Sequence, residues 1–207
     1  MEHALRLVVV HSLSSTAVQP DMDLRDRALR IGLLEGGYNI VAVLPADVHL
    51  AERLLQLQPD MIIVDAESDA RETLKNSLEH VVMATREQPR PVVLFTENAD
   101  TGYAQQAFEA GVSAYVVAGL QPERIKPVLE VAQARFNVEQ RLRAELASTR
   151  TQLAERKLIE RAKGLLMQKH GLTEDEAYKR LRKGAMDKNL KLAELAERIV
   201  DAVELLG

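Results

Sequence analysis

Short apolar runs alternate with stretches of helical periodicity over about the first 130 residues of the chain. The apolar runs are rich in β-branched residues, as buried strands are, and lie at 5–10, 39–44, 61–65, 92–96 and 112–117. The stretches between them repeat apolar side chains at helical spacing and lie at 24–34, 49–57, 70–86 and 102–110. This alternation is typical of right-handed βαβ units, so it predicts an α/β fold with a doubly wound, five-stranded parallel sheet.

Polar side chains follow two of the predicted strands at their carboxyl ends. Asp65 ends the third strand and Thr96 ends the fourth. Ligands of doubly wound sheets bind beyond the carboxyl ends of the strands, so these two side chains are candidate site residues. With the motif AGVSAY at 110–115, the arrangement resembles the receiver domain of response regulators. The resemblance implies that Asp65 is the phosphoacceptor candidate and that the Thr96 hydroxyl meets the phosphoryl oxygens.

Three positions depart from the receiver pattern. The resemblance requires an acidic pair that holds Mg²⁺ after the first strand, where the chain has His11 and Ser12. It also requires a lysine after the fifth strand, where the chain has Ala118. Phosphoryl transfer to a carboxylate needs cations to offset the charge that builds on the oxygens. We therefore interpret residues 1–122 as a pseudo-receiver without metal or cofactor, in which a vestigial Asp65 hydrogen-bonds loop amides.

A single long helix is expected after the first domain, because no strong turn signal lies between Gln121 and Gly171. Residues 123–152 of this helix form the predicted linker. Its side chains include a coiled-coil seam with spacings of 4, 3 and 4, formed by Leu142, Leu146, Thr149 and Leu153. The seam predicts a homodimer through the linker helix. Packing of this helix on its own sheet is the alternative.

Charge is unevenly distributed along the chain, although its net value is −4. Residues 1–134 carry 11 Lys and Arg against 19 Asp and Glu, whereas residues 135–191 carry 15 against 8. The last sixteen residues carry 1 against 4. This asymmetry favours an acidic module joined to a part that binds a polyanion. The alternative is a long exposed helix that carries solvated charges of both signs.

The C-terminal part, residues 153–207, has the pattern of a three-helix unit. Gly171 is predicted to end the first helix, and Thr173 with Glu176 forms a capping box for the second. The expected buried stripe of the second helix is Ala177, Leu181 and Ala185. That of the third is Leu192, Leu195, Ala196, Ile199, Val203 and Leu206.

Gly164 lies inside the first of these helices, where glycine is less favourable than alanine. We expect its missing side chain to permit a close helix crossing within the bundle. Close approach of a nucleic-acid backbone is the alternative.

The sequence IERAKGLLMQKHGLTEDEAYKRLRKGAM at 159–186, followed by KLAELAERIV at 191–200, resembles the ANTAR domain. Together with a pseudo-receiver and a coiled-coil helix, it resembles the ANTAR-domain transcription antiterminators of the AmiR and NasT type. The stretches QPRPVVLFTE at 88–97 and GVSAYVV at 111–117 favour the NasT type, which regulates nitrate and nitrite assimilation.

This resemblance implies an RNA-binding regulator and no enzymatic activity. Such proteins bind paired hairpins in a leader transcript and prevent a terminator from forming. The resemblance also implies a separate nitrate/nitrite sensor protein as a partner.

The basic helices offer candidate RNA contacts. Cations neutralise phosphates, and an aromatic ring stacks on an unpaired base. The candidates are Lys163, Arg182 and Lys183 near phosphates or base edges, Tyr178 as a stacking surface, and Arg161 and Lys169 as weaker contributors. The alternatives are a solvated basic face and a tyrosine that belongs to the core.

Two other functions fit parts of the pattern. One is a DNA-binding response regulator switched by phosphorylation at Asp65, and the other is an adaptor without a nucleic-acid role. The chain has no cysteine and no apolar stretch of the roughly 20 residues that a membrane span needs. We therefore expect a cytoplasmic protein with no membrane partner.

Overall fold

The computed structural model describes residues 4–11, 20–66, 71–118 and 120–206. The chain forms two compact units, residues 1–139 and 140–207, which we call the α/β unit and the helical unit. The domain limits predicted from the sequence remain a prediction. No helix in the described residues is both long enough and apolar enough to cross a membrane.

Strands and helices alternate through the α/β unit in the predicted order. The elements are β1 (Arg6–His11), α1 (Pro20–Glu35), β2 (Asn39–Pro45), α2 (Leu50–Leu57), β3 (Met61–Ala66), α3 (Arg71–Thr85), β4 (Val92–Thr96), α4 (Thr101–Glu109) and β5 (Ala114–Val117). They are followed by α5 (Pro122–His170), α6 (Glu174–Asp187) and α7 (Leu192–Leu206). The fifth strand starts two residues later than predicted, after a turn in which Gly111 has a φ of +103°.

The five strands form one parallel sheet in the order β2-β1-β3-β4-β5, which confirms the predicted fold class. Successive side chains of a strand point to opposite faces, and each face of this sheet has its own apolar cluster. In β1, Val8 and Val10 belong to one cluster, whereas Leu7 and Val9 belong to the other. Every residue of the central β3 is buried. A sheet covered on both faces explains why its strands read as continuous apolar runs.

Helix α5 is continuous over 49 residues, as the missing turn signals predicted. Its first turns belong to the α/β unit, where Ile125, Leu129 and Ala132 are buried in the sheet cluster. Residues 141–154 are exposed throughout. Packing against the sheet therefore ends before the seam, and the seam leucines face solvent in the single chain.

The helical unit has a small core formed by α5, α6 and α7. Ala162, Leu181, Ala196 and Val200 form its buried cluster. The predicted stripe of α6 is buried in full, at Ala177, Leu181 and Ala185. In α7 the buried residues include Val200, which the sequence pattern missed, and the side chain of Leu206 lies outside the described part.

The ends of the helices follow the predicted chemistry. Gly171 has a φ of +64°, the left-handed conformation that ends α5. The Thr173 amide donates to Glu176 Oε2 at 2.9 Å, and the Glu176 amide donates to Thr173 Oγ1 at 3.4 Å. Both halves of the capping box at the start of α6 are therefore present.

The expected helix crossing at Gly164 is wrong. A Cβ added at Gly164 would have no heavy atom of the described residues within 4 Å. The tight glycine of this unit is Gly184 in α6, where an added Cβ would lie 3.1 Å from Leu195 Cδ2 of α7. The reason is helical geometry, since Gly164 lies about 200° around α5 from the buried Ala162 and faces away from the core.

Candidate nucleic-acid interface and phosphoacceptor position

Asp65 forms an ion pair with an arginine from α1. The Asp65 side chain is 6% exposed, and Arg25 Nη2 donates to its Oδ1 at 2.9 Å. Arg25 Nη1 also contacts the carboxylate of Glu97. The expectation that Asp65 bonds only loop amides missed this partner. Arg25 is 40 positions away in the sequence, so no local pattern points to the pair.

The neighbouring groups do not form a receiver site of the usual composition. His11 Nδ1 lies 3.9 Å from Asp65 Oδ2, and its Nε2 lies 3.7 Å from Asp26 Oδ1. Thr96 is buried, and its Oγ1 accepts a hydrogen bond from the Asn98 amide at 3.1 Å. Ser12 lies outside the described residues.

This arrangement leaves Asp65 paired with a protein cation. A guanidinium binds a carboxylate with directed N–H donors and keeps its charge at all physiological pH values. The described residues contain no group of three or more His, Asp or Glu that could hold a metal ion. Arg25 therefore neutralises the Asp65 carboxylate from within the chain.

The second candidate site is the outer face of α6. Successive residues of a helix are about 100° apart, so the acidic Asp175 of the first turn and five side chains of later turns fall within a sector of about 140° beside the buried stripe. We call the five later side chains the α6 outer face, and they are Tyr178, Lys179, Arg182, Lys183 and Met186. All five are exposed.

Three of the predicted RNA contacts come together on the α6 outer face. Tyr178 is 41% exposed, so it is not a core residue. Within the described part of the chain, Arg182 and Lys183 make no hydrogen bond or ion pair. Their charges are therefore available to a ligand.

The three predicted contacts on α5 have different environments. Arg161 and Lys169 are exposed, whereas Lys163 is only 7% exposed. Lys163 Nζ contacts Glu174 Oε1 at 2.7 Å and Glu160 Oε2 at 2.9 Å. Lys163 thus lies at the contact between α5 and α6.

The same ion pairs shift the acid–base equilibria of their members. The hydrogen bond to Glu174, followed by the one to Glu160, raises the pKa of Lys163 above its usual value. The hydrogen bond from Lys163 lowers the pKa of Glu174. The Thr173 amide and hydroxyl lower the pKa of Glu176 in the capping box. The turn between α5 and α6 is therefore organised by ionised carboxylates.

Comparisons with known proteins agree with this division into two units. The model of the ANTAR domain matches residues 147–200. Transcriptional regulatory protein PdtaR of Mycobacterium tuberculosis (strain H37Rv) is 33% identical over 172 residues, which is 83% of this chain and 82% of that protein. The Nitrate regulatory protein of Klebsiella oxytoca is 41% identical over 75 residues, which is 36% of this chain and 19% of that protein. Both relatives bear the names of regulators.

Solved structures with a similar fold support the assignment of the first unit. The signal receiver domain of a modulated diguanylate cyclase from Desulfovibrio desulfuricans G20 has a TM-score of 0.50 and 18% identity, covering 66% of this chain and 99% of that one. A two-component response regulator of the LuxR family from Aurantimonas sp. SI85-9A1 has a TM-score of 0.50 and 20% identity, covering 64% and 86%. These likenesses show the receiver fold.

A receiver fold followed by a helical unit is the domain architecture of a response regulator. With the ANTAR match and the similarity to PdtaR over most of its length, this chain belongs to the family of ANTAR-domain response regulators. The resemblance noted in the sequence is confirmed.

Proposed function

We propose that this regulator binds RNA and acts in transcription antitermination, by holding paired hairpins of a leader transcript so that a terminator does not form. The observation that carries the proposal is the α6 outer face, where Tyr178 is exposed and Arg182 and Lys183 have no described partner. In this proposal residues 1–122 are the control domain, 123–152 the dimerisation linker and 153–207 the RNA-binding domain.

The chemistry of this face suits a hairpin loop. Loop phosphates are neutralised by cations, and the release of their counterions favours binding. Unpaired loop bases offer their faces for stacking on an aromatic ring, a contact that contributes about 1–3 kcal/mol per base. Tyr178 and Arg182 are one helical turn apart, so the two contacts would fall on neighbouring nucleotides.

The cations of the α/β unit contrast with those of α6. Arg6 donates to the carbonyls of Leu57 and Gln58, and Arg53 binds the carboxylate of Asp47. These arginines serve the fold of their own unit. Arg182 and Lys183 of α6 have no such partner within the described residues.

The matched pair Arg182→Ala and Arg180→Ala tests the proposal. Both arginines are exposed on α6, but they lie about 200° apart around the helix, and Arg180 is outside the α6 outer face. Fluorescence anisotropy would measure the binding of each variant to an RNA with two hexanucleotide-loop hairpins and to a duplex DNA of equal charge, at low and high salt.

We expect the parent protein to prefer the RNA. Arg182→Ala should weaken binding about tenfold and reduce the slope of log affinity against log salt by about 0.7–0.9, the value for one lost phosphate contact. Arg180→Ala should bind as the parent does. Tyr178→Ala should weaken binding with little change in the salt slope, because stacking releases no counterion. Preference for DNA would instead support a DNA-binding regulator.

The predicted RNA contacts on α5 contribute less to binding in this proposal than those on α6. Arg161 and Lys169 add to the electrostatic attraction from α5. Lys163 already binds Glu160 and Glu174, so in this proposal it acts by positioning α5 against α6.

The target and the partners are also proposed. A homodimer through the linker helix would present two helical units to two linked hairpins, so that the second contact benefits from effective concentration. The partial match to a Nitrate regulatory protein supports a role at nitrate and nitrite assimilation genes, with a nitrate/nitrite sensor protein as the controlling partner. Reporter expression from a leader sequence of such an operon, with and without this protein, tests that role.

A further inference from the structure

Gly164 is an exposed glycine in the interior of a long helix. It lies six residues before the last residue of α5, His170, and its backbone is helical. Glycine destabilises a helix relative to alanine because it has more freedom to lose. A glycine at such a position therefore calls for a reason.

The described part of the chain supplies no reason. Among the described residues, a Cβ on Gly164 would meet no heavy atom within 4 Å, so no described helix requires its absence. Its φ is not in the left-handed region, unlike those of Gly111 and Gly171. Alanine would fit this position and would favour the helix.

The side chains on one flank of Gly164 are polar hydrogen-bond donors. Lys157, Arg161 and Gln168 are exposed and lie within about 60° of Gly164 around the helix. The other flank has Glu160, whose carboxylate is bound by Lys163 Nζ at 2.9 Å, and the exposed Met167. Bare backbone beside nitrogen donors, with the nearest carboxylate already paired, suits an anion that comes close to the helix.

We propose that Gly164 is the point where the sugar–phosphate backbone of the bound RNA lies directly against α5, which extends the RNA-binding surface beyond the α6 outer face. This inference rests on the proposed function. Without a Cβ, the backbone of the RNA reaches van der Waals contact with the helix, and Lys157, Arg161 and Gln168 reach phosphate and sugar oxygens beside it.

A second copy of α5 is a less suitable occupant of this face. The exposed leucines of the seam end at Leu153, and the next exposed positions on that side of the helix are Lys157 and Glu160. In parallel copies Lys157 would face Lys157 and Glu160 would face Glu160, with no apolar contact between them. These positions therefore disfavour a second copy, whereas the donors Lys157, Arg161 and Gln168 suit a polyanion.

The test compares glycine substitutions on the two faces of the bundle. Gly164→Ala and Gly164→Leu add side chains that favour a helix and project into open space. Gly184→Ala is the matched control, because its added Cβ points toward Leu195 in the interior at 3.1 Å. Full-length variants would be compared by thermal unfolding, by sedimentation velocity and by anisotropy with the two-hairpin RNA.

We expect Gly164→Ala to unfold at a temperature a few degrees higher than the parent and to bind the RNA about tenfold more weakly. Gly164→Leu should fold, keep the oligomeric state of the parent and lose measurable RNA binding. Gly184→Ala should gain less thermal stability and keep the RNA affinity of the parent.

The outcomes separate this inference from the proposed function. If the parent binds the RNA and Gly164→Leu binds equally well, the inference is wrong and the proposed function stands. If Gly164→Leu changes the oligomeric state, the face contacts a second copy and the inference is also wrong. If the parent does not bind the RNA, the proposed function fails and the inference fails with it.

Discussion

Lys163 shows how one side chain in a basic segment differs from its neighbours. It belongs to the same charged stretch as Arg161 and Lys169, yet it is buried between two carboxylates. Its contact with Glu174 joins α5 to the first turn of α6, where the helix dipole also favours a carboxylate. The residue therefore stabilises the geometry of the turn on which the α6 outer face depends.

Replacing Lys163 should show whether this side chain positions α5 against α6 or contacts the RNA directly. We expect Lys163→Met to lower the free energy of unfolding of the helical unit, since Glu160 and Glu174 lose their shared cation. RNA affinity should fall, but the salt slope should stay near that of the parent because the lost cation is not a phosphate contact. Urea unfolding and salt-dependent anisotropy measure the two effects. A slope lowered by about one, with unchanged stability, would make Lys163 a direct phosphate contact.

The loss of stability in Lys163→Met should depend on pH. The folded-state pKa of Glu174 lies below its ordinary value of 4.5, so its contribution to stability is present above that pH and is lost as the pH falls through the lowered pKa. The difference in unfolding free energy between the parent and Lys163→Met should therefore shrink on acidification below about 4.5. A difference that persists in acid would show that packing of the lysine stem, and not its charge, matters.

At the scale of elements, α5 changes its surroundings along its length. Its first turns are buried against the sheet, its middle exposes leucines, and its last turns pack in the helical unit. The large exposed side chains of the middle include Leu142, at 60% exposure, and Leu146, at 51%. Apolar residues on a solvent-facing helix are typical of a coiled-coil partner surface.

The spacing of the exposed apolar residues also predicts how two paired α5 helices would supercoil. Val131, Leu142 and Leu153 are each 11 residues apart, and all three are exposed. An 11-residue repeat corresponds to about 3.67 residues per turn, whereas a heptad corresponds to 3.5. Two such helices would pair with little supercoiling or with a slight right-handed twist, over a shorter contact than a regular coiled coil.

A charge in the seam should dissociate the proposed homodimer. We expect Leu146→Glu to be monomeric in sedimentation velocity, because two carboxylates would face each other across the seam. Its affinity for the two-hairpin RNA should fall to that for a single hairpin, since the gain from effective concentration is lost. The control is Ser148→Glu, an exposed position about 200° around the helix from Leu146. If both variants sediment as the parent does, the seam is not the dimer contact.

At the scale of the whole molecule, the receiver fold is present while its chemistry is altered. Asp65 and Thr96 lie at the carboxyl ends of β3 and β4 as predicted. The Asp65 carboxylate, however, is ion-paired with Arg25. An ion pair with a buried member is costly to break, because the remaining charge is left without its partner. We therefore propose control by a partner protein and not by a phosphoryl group.

Beryllofluoride, a phosphoryl mimic, tests this interpretation on the intact regulator. With Mg²⁺ present, we expect it to change neither the RNA affinity nor the sedimentation of the parent. Arg25→Met should destabilise the α/β unit by up to about 3 kcal/mol, as judged by urea unfolding, because Asp65 loses its cation. A Mg²⁺-dependent rise in affinity with beryllofluoride, abolished by Asp65→Ala, would instead support a regulator switched at Asp65.

Local sequence patterns were sufficient to predict the secondary-structure elements and the fold class. Alternation of apolar runs with helical periodicity predicted all five strands, and the stretch without turn signals predicted α5. Gly171 and the Thr173–Glu176 box predicted the break between α5 and α6. These features depend on residues within about one helical turn of each other, so the local sequence is sufficient to define them.

Which charged side chains form ion pairs, and which glycines lie in close contacts, depends on how the elements pack. Arg25 meets Asp65 across 40 positions, and Lys163 finds Glu174 across the α5–α6 turn. Gly164 faces open space while Gly184 faces Leu195, although both lie inside helices. Such pairings depend on where whole elements pack, because the side chains that meet belong to different helices and strands. The local pattern of the chain does not contain that information.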